Sequence, residues 1–151
     1  MQKKSVKTKL PVEIVSTSTL IKVLTLRCYS KNNFEITPEQ FLILDTVFKN
    51  DFVYQRQIGE IIGKDRANVA RLINILEKKG LIKKTIASNG RQINRIQLTQ
   101  KGFDIRSKIC PIIENVRNSY LKNICEEELN ECLKTLDKIK SNITKNTKLK
   151  T

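Results

Sequence analysis

Between Gln57 and Gly80 the sequence reads QIGEIIGKDRANVARLINILEKKG, and this stretch restricts the fold more than any other. Ile58, Gly59, Ile62, Gly63, Val69 and Leu72 have the spacing of a helix-turn-helix, in which two short helices cross steeply around a tight turn. Each position has a physical reason. Gly59 lets the second helix approach the first, and Gly63 permits the positive φ that a sharp turn demands. Val69 and Leu72 plug the crossing, and Asp65 is a good N-cap for a helix beginning at Arg66. An ordinary helical hairpin in a core would match any one of these positions. The six together, followed by a hairpin with basic residues at its tip, are more specific.

The rest of the chain builds around that pair. Residues 81 to 98 change character to a short strand, a Ser88-Asn89-Gly90 turn and a second strand, and Asn-Gly between such runs is a strong hairpin signal. Upstream, Thr37-Pro38-Glu39-Gln40 supplies an N-cap, a proline at the first helical position and an early acid, opening a helix through Phe41, Leu44, Val47 and Phe48. From Val12 to about Ser30, Ile14, Ile21, Leu24 and Cys28 keep helical spacing. The first ten residues, MQKKSVKTKL, carry four lysines and read as a loose basic arm. Thr99 caps a long helix bearing Ile105, Ile109, Ile112, Ile113 and Val116, in which Pro111 should cause a kink or an early end. A last helix opens at Glu126-Glu127-Glu128 and carries Leu129, Cys132, Leu133, Leu136, Ile139 and Ile143, before the basic tail TKNTKLKT.

On a helical wheel with Val69, Leu72, Ile73 and Leu76 turned inward, Ala67, Arg71, Asn74 and Lys78 fall on the opposite face, with Arg66, Asn68 and Ala70 on its flanks. That face is slim, polar and positive. A helix that enters the DNA major groove needs short side chains where it comes close, and donors that reach base edges or phosphates. A solvated surface has similar residues, but the charge distribution favours DNA. From Tyr54 to Lys101 there are eleven Lys or Arg against three Asp or Glu, a local charge of +8 out of +14 for the 151 residues. Such focusing serves phosphate contacts that release counterions.

Other chemistry is poorly provided for. There is no histidine, and Cys28, Cys110, Cys125 and Cys132 form no CxxC pair, so the usual mixed zinc sites cannot be assembled. The thiols read as small buried hydrophobes, with redox sensing as the alternative. No general base of the histidine type, Gly-rich phosphate loop or isolated carboxylate pair points to an enzyme or to a cofactor. No signal-peptide h-region or spanning apolar run is present, which points to the cytoplasm.

The run ITPEQFLIL, then QIGEIIGKDRANVARLINILEKKGLIKK, then the hairpin ending in RIQLTQKG resembles the multiple antibiotic resistance regulator (MarR) family of bacterial winged-helix transcription factors. The motif-level resemblance covers residues 36 to 103. It implies a single domain, mainly α with a small β-hairpin wing (α+β). A winged helix-turn-helix over about 36–100 would be flanked by dimerisation helices at about 12–30 and 100–144, with basic tails at 1–10 and 145–151. It further implies a homodimer with interlocked terminal helices, the helix from Arg66 in the major groove and the hairpin as a wing in the minor groove. In that family small phenolic or other aromatic ligands, or cysteine oxidation, often release the DNA. The wing departs from the family pattern: Gly90 and Gln92 stand where Asp-x-Arg is usual, and Arg91 is the nearest replacement. Cys28 falls near the end of the first helix, whereas the reactive cysteine of the redox subgroup lies early in it.

These readings combine into a sequence-specific regulator of transcription, a repressor or else an activator, on a pseudo-palindromic operator. Asn68 and Arg71 would read or anchor in the major groove, with Ala67, Ala70 and Asn74 on the same surface. Arg66 and Lys78 would contact backbone, and Lys83, Lys84, Arg91 and Arg95 would serve the wing. The alternative is a sequence-indifferent architectural DNA binder; a protein-binding winged helix is a third reading that fits the +8 segment poorly.

Overall fold

The structure is a computed structural model that describes residues 5–50, 53–86 and 94–147. Its elements run α1 (Val6–Lys31), α2 (Pro38–Lys49), β1 (Val53–Tyr54), α3 (Gln55–Ile62), α4 (Arg66–Lys78), β2 (Ile82–Ile86), β3 (Asn94–Leu98), α5 (Gln100–Tyr120) and α6 (Glu126–Thr147). This is the α+β winged-helix architecture expected from the helix-turn-helix and hairpin signals.

α2 begins as its sequence dictates. The Gln40 N–H donates to Thr37 Oγ1 and the Thr37 N–H donates to Gln40 Oε1, both at 3.2 Å, so two orphan helix-end donors are satisfied reciprocally. The helix buries Ile43 and Leu44 completely, against Ile58 of α3 and Ile73 and Leu76 of α4. The sheet closes over this core with Ile82 and Ile96. Its order is β1-β3-β2, antiparallel throughout, with Val53 opposite Ile96 and Lys84 also opposite Ile96. The two-residue strand β1 was not legible in advance; it exists because Val53, 2% exposed, joins the core beside Ile96.

Three expectations need correction. α1 starts at Val6, capped by Ser5, so the last five residues of the expected basic arm are helical and Pro11 lies inside the helix. α5 does not end at Pro111 but runs nine residues further, to Tyr120. Proline removes one i→i−4 bond there, yet Ile109 is buried and Ile105 and Ile113 pack on the same core, so packing outweighs the local penalty. α6 extends through Thr147, into the expected basic tail. The Ser88-Asn89-Gly90 turn lies outside the described residues.

α1 and α6 contribute little to the core. Tyr29 is the buried residue of α1, whereas Val12, Val15 and Leu20 of α1 and Leu133 and Ile143 of α6 are each half or more exposed. Among the described residues no helix is long and apolar enough to cross a membrane.

Candidate nucleic-acid interface

The turn between α3 and α4 is built as its glycines require. Gly63 adopts the left-handed conformation, φ 65° and ψ 39°, and the Lys64 N–H closes onto the Gly59 carbonyl at 3.1 Å. A Cβ on Gly59 would lie 3.0 Å from the Lys64 carbonyl oxygen and 3.5 Å from Val69 Cγ2, so this glycine does set how closely α4 approaches. Asp65 then starts α4. Its Oδ1 accepts the Asn68 N–H at 2.9 Å and its Oδ2 accepts from Asn68 Nδ2 at 2.5 Å. The backbone N–H of Asn68 first, and its side-chain amide second, hold the Asp65 carboxyl below the usual carboxylate range.

α4 divides as the helical wheel requires. Val69, Leu72, Ile73 and Leu76 are buried, whereas Arg66, Ala67, Asn68, Arg71, Asn74 and Lys78 are exposed and Ala70 is half-buried. Among the described residues the side chains of Arg66, Arg71 and Lys78 make no hydrogen bond or ion pair. The exposed ridge of α4 therefore carries three unengaged cations separated by small residues.

The wing residues separate. Successive side chains of a strand face opposite ways, so Lys83 and Lys84, adjacent in sequence, lie on opposite faces of the sheet. Lys83 is exposed and borders an open cleft of about 320 Å³ with Val47, Phe48, Gln97, Leu98 and Phe103. Lys84 shares the core-facing side with Ile82, and its Nζ donates to Asn74 Oδ1 and to Glu77 Oε2, each at 2.7 Å. Arg95 is half-buried on β3 opposite Tyr54, with its Nε donating to the Tyr54 hydroxyl at 3.4 Å. Gly90, Arg91 and Gln92 lie outside the described residues.

Two further contacts seat α4 and the sheet against the rest of the chain. The C-terminal end of α4 is tied to the start of α5, where Lys101 Nζ donates to the Lys79 carbonyl at 3.0 Å and Thr99 Oγ1 to the Gly80 carbonyl at 2.6 Å. α2 is tied to α5 by Asp45. Arg106 donates to its Oδ1 through Nε at 3.1 Å and Nη2 at 2.8 Å, and Lys49 Nζ lies 2.7 Å from Oδ2. Burial alone would raise the Asp45 carboxyl, but the bonds from Lys49 and Arg106, with their charges, bring it below its ordinary value. The Arg106 guanidinium also lies 3.8 Å from the centre of the Phe48 ring. Sequence reasoning missed this cluster because Asp45 and Arg106 are 61 residues apart.

Two helices joined by a tight left-handed glycine turn, a basic exposed ridge on the second and a three-stranded antiparallel sheet define the winged-helix DNA-binding fold. Residues 36–93 match the sequence model of the MarR family. Solved structures share the fold. The transcriptional regulator PA3341 is 26% identical, with 90% of this chain and 98% of that one covered and a TM-score of 0.75. A MarR/EmrR family transcriptional regulator from Acinetobacter sp. ADP1 shares 18% identity over 93% of this chain and 99% of its own, with a TM-score of 0.80. The organohalide-sensing RdhR-CbdbA1625 transcriptional regulator, in a 2,4-dichlorophenol-bound form, is 24% identical over 97% of this chain and 86% of its own, with a TM-score of 0.76. The chain thus has the winged-helix DNA-binding fold of the MarR-family transcriptional regulators.

Proposed function

We propose that this protein is a sequence-specific, double-stranded DNA-binding repressor that acts in the cytoplasm, without catalytic activity, as a homodimer on a pseudo-palindromic operator. The observation that carries the reading is the exposed ridge of α4, where Arg66, Arg71 and Lys78 are unengaged and Ala67 and Ala70 leave room for close approach. Arg71 and Asn68 read or anchor in the major groove, the Asn68 amide being pre-oriented by Asp65. Arg66 and Lys78 contact backbone phosphates. Lys83, Arg91 and Arg95 serve the wing, with Arg95 steadied by Tyr54.

A homodimer is supported by the apolar surface that α1 and α6 leave exposed, because water-facing Val12, Val15, Leu20, Leu133 and Ile143 suit a second copy of the same surface. Two-fold symmetry then places two α4 helices on half-sites about 10 to 10.5 bp apart. Release by a small aromatic ligand fits the dichlorophenol-bound state of one relative.

Arg71→Ala tests the reading directly. Losing a base-edge or phosphate contact from the middle of α4 should weaken operator binding by about 1 to 3 kcal/mol at fixed salt, with the dimer intact. Unchanged affinity in a gel-shift titration would remove Arg71 from the interface. An architectural binder, the competing reading suggested by the charge of +14, would instead bind operator and random duplex alike at every salt concentration.

A further inference from the structure

Lys84 stands apart from the other cations of the interface. Its neighbour in register is Ile96, fully buried, so its stem leaves the sheet on the core side and runs to α4. The side chain is 24% exposed, and the ammonium meets Asn74 Oδ1 and Glu77 Oε2 together, both at 2.7 Å. Asn74 and Glu77 are three residues apart on α4 and therefore neighbours on its surface. An ammonium has three N–H donors, and two of these are committed. Its charge is matched by the Glu77 carboxylate, so it offers little to a phosphate.

Resting on the reading of α4 as the recognition helix, we propose that Lys84 is a positioning residue for DNA recognition, not a DNA contact. Its ammonium brackets the wing strand β2 to the C-terminal half of α4. It also fixes which edge of the Asn74 amide faces outward. The Asn74 NH₂ cannot face an ammonium, so the carbonyl oxygen does, and the two amide N–H donors are what Asn74 presents. A bidentate contact with adenine needs both a donor and an acceptor on the asparagine, and here Lys84 takes one of the two lone pairs of the Asn74 oxygen and sets a positive charge beside it, which disfavours the approach of the adenine N6 amino group. Asn74 in this state donates to an acceptor, guanine O6 or N7, thymine O4, a phosphate oxygen or, through a single bond, adenine N7. Two effects follow from one side chain: the angle of the wing relative to α4, and the base tolerated beside Asn74.

The test uses the full chain, a duplex enriched by the wild-type protein from a random pool, and a scrambled duplex, titrated over a range of salt. Lys84→Met keeps the apolar stem and removes the ammonium. It should lower affinity for the enriched duplex about tenfold, the worth of a charge-assisted hydrogen bond. The dependence of log affinity on log salt should stay parallel to wild type, and re-selection should move the base beside Asn74 toward adenine. A uniform loss on both duplexes with a salt slope shallower by about one would identify Lys84 as an ordinary phosphate contact and overturn the proposal. Unchanged affinity and an unchanged selected sequence would also overturn it.

Glu77→Gln supplies a second readout should Lys84→Met fold poorly. It loosens the bracket while adding net positive charge. Weaker specific binding supports the bracket; tighter binding with a steeper salt slope contradicts it. Arg71→Ala in the same titration separates the two levels. If Arg71→Ala weakens binding and Lys84→Met does not, the bracket alone fails. If the wild-type chain enriches no duplex, the DNA-reading function fails and the bracket with it.

Discussion

Gly102, in the first turn of α5, has the least room of the described glycines. A Cβ placed there would lie 2.0 Å from the Leu81 carbonyl oxygen, 2.9 Å from its carbonyl carbon and 3.3 Å from its Cα. All three are backbone atoms of a residue that is 1% exposed, so no side chain can swing aside. Moving the oxygen from 2.0 Å to an ordinary 3.4 Å requires the two backbones to part by about 1.4 Å. The same oxygen accepts the Thr99 N–H at 3.1 Å, a bond that joins the end of α4 to the start of α5 and would be stretched or lost.

The sign of the effect is the test, because Gly→Ala in an unobstructed helix stabilises by about 1 kcal/mol. Overpacking usually costs about 1 to 3 kcal/mol, and losing the Thr99 bond about 1 more. With the helix gain subtracted, Gly102→Ala should therefore destabilise the protein by about 2 kcal/mol, which for a chain of this size lowers Tm by roughly 4 to 8 °C. Urea and thermal unfolding followed by far-UV circular dichroism, at one protein concentration, measure it. Gly63→Ala is the control: nothing lies within 4 Å of its Cβ, and only the left-handed φ of 65° is penalised, at about 1 to 2 kcal/mol. A Gly102→Ala protein as stable as wild type, or more stable, would refute the close seating of α5 on Leu81.

Other expectations concern the supports of the interface. Arg106→Met should cost about 2 to 3 kcal/mol at neutral pH, because it leaves Asp45 with Lys49 alone and uncovers Phe48. The folded-state Asp45 carboxyl is lowered from its ordinary value of 3.8. Its contribution is therefore present above that value and lost as pH falls through the lower folded value. Wild type should lose stability below about pH 4 more steeply than Asp45→Asn, and parallel acid titrations of the two would count against the cluster. Leu133→Glu and Ile143→Glu on α6 should raise the dimer dissociation constant at least about tenfold, since each removes roughly 1.5 to 3 kcal/mol of apolar burial. Sedimentation that gives unchanged mass for both would place the interface elsewhere.

Much of this was readable from local sequence because the signals were local. Asp65, Gly63 and the Val69, Leu72, Ile73 and Leu76 period sit within one turn and one helix, and the structure has them where capping, positive φ and a 3.6-residue repeat put them. Thr37 and Thr99 mark helix starts for the same reason. Misreadings arose where distant residues decide. Pro111 left a kink or an early end open in sequence, and α5 runs on past it with Ile109 packed in the core. Lys83 and Lys84 were both expected to serve the wing, and strand alternation turns them to opposite faces of the sheet. Which of the two met α4 depended on the register of β2 against β3. Asp45 and Arg106 carry no joint signal in sequence at all.

The central claim is that the α4 ridge reads a two-fold DNA site. Selection from a random duplex pool by the full chain, followed by sequencing of the bound fraction, tests it most directly. The expected outcome is an enriched inverted repeat with half-sites about 10 to 10.5 bp apart, bound more weakly by Arg71→Ala than by wild type. A bound fraction with no enriched sequence, retained equally by Arg71→Ala, would contradict it.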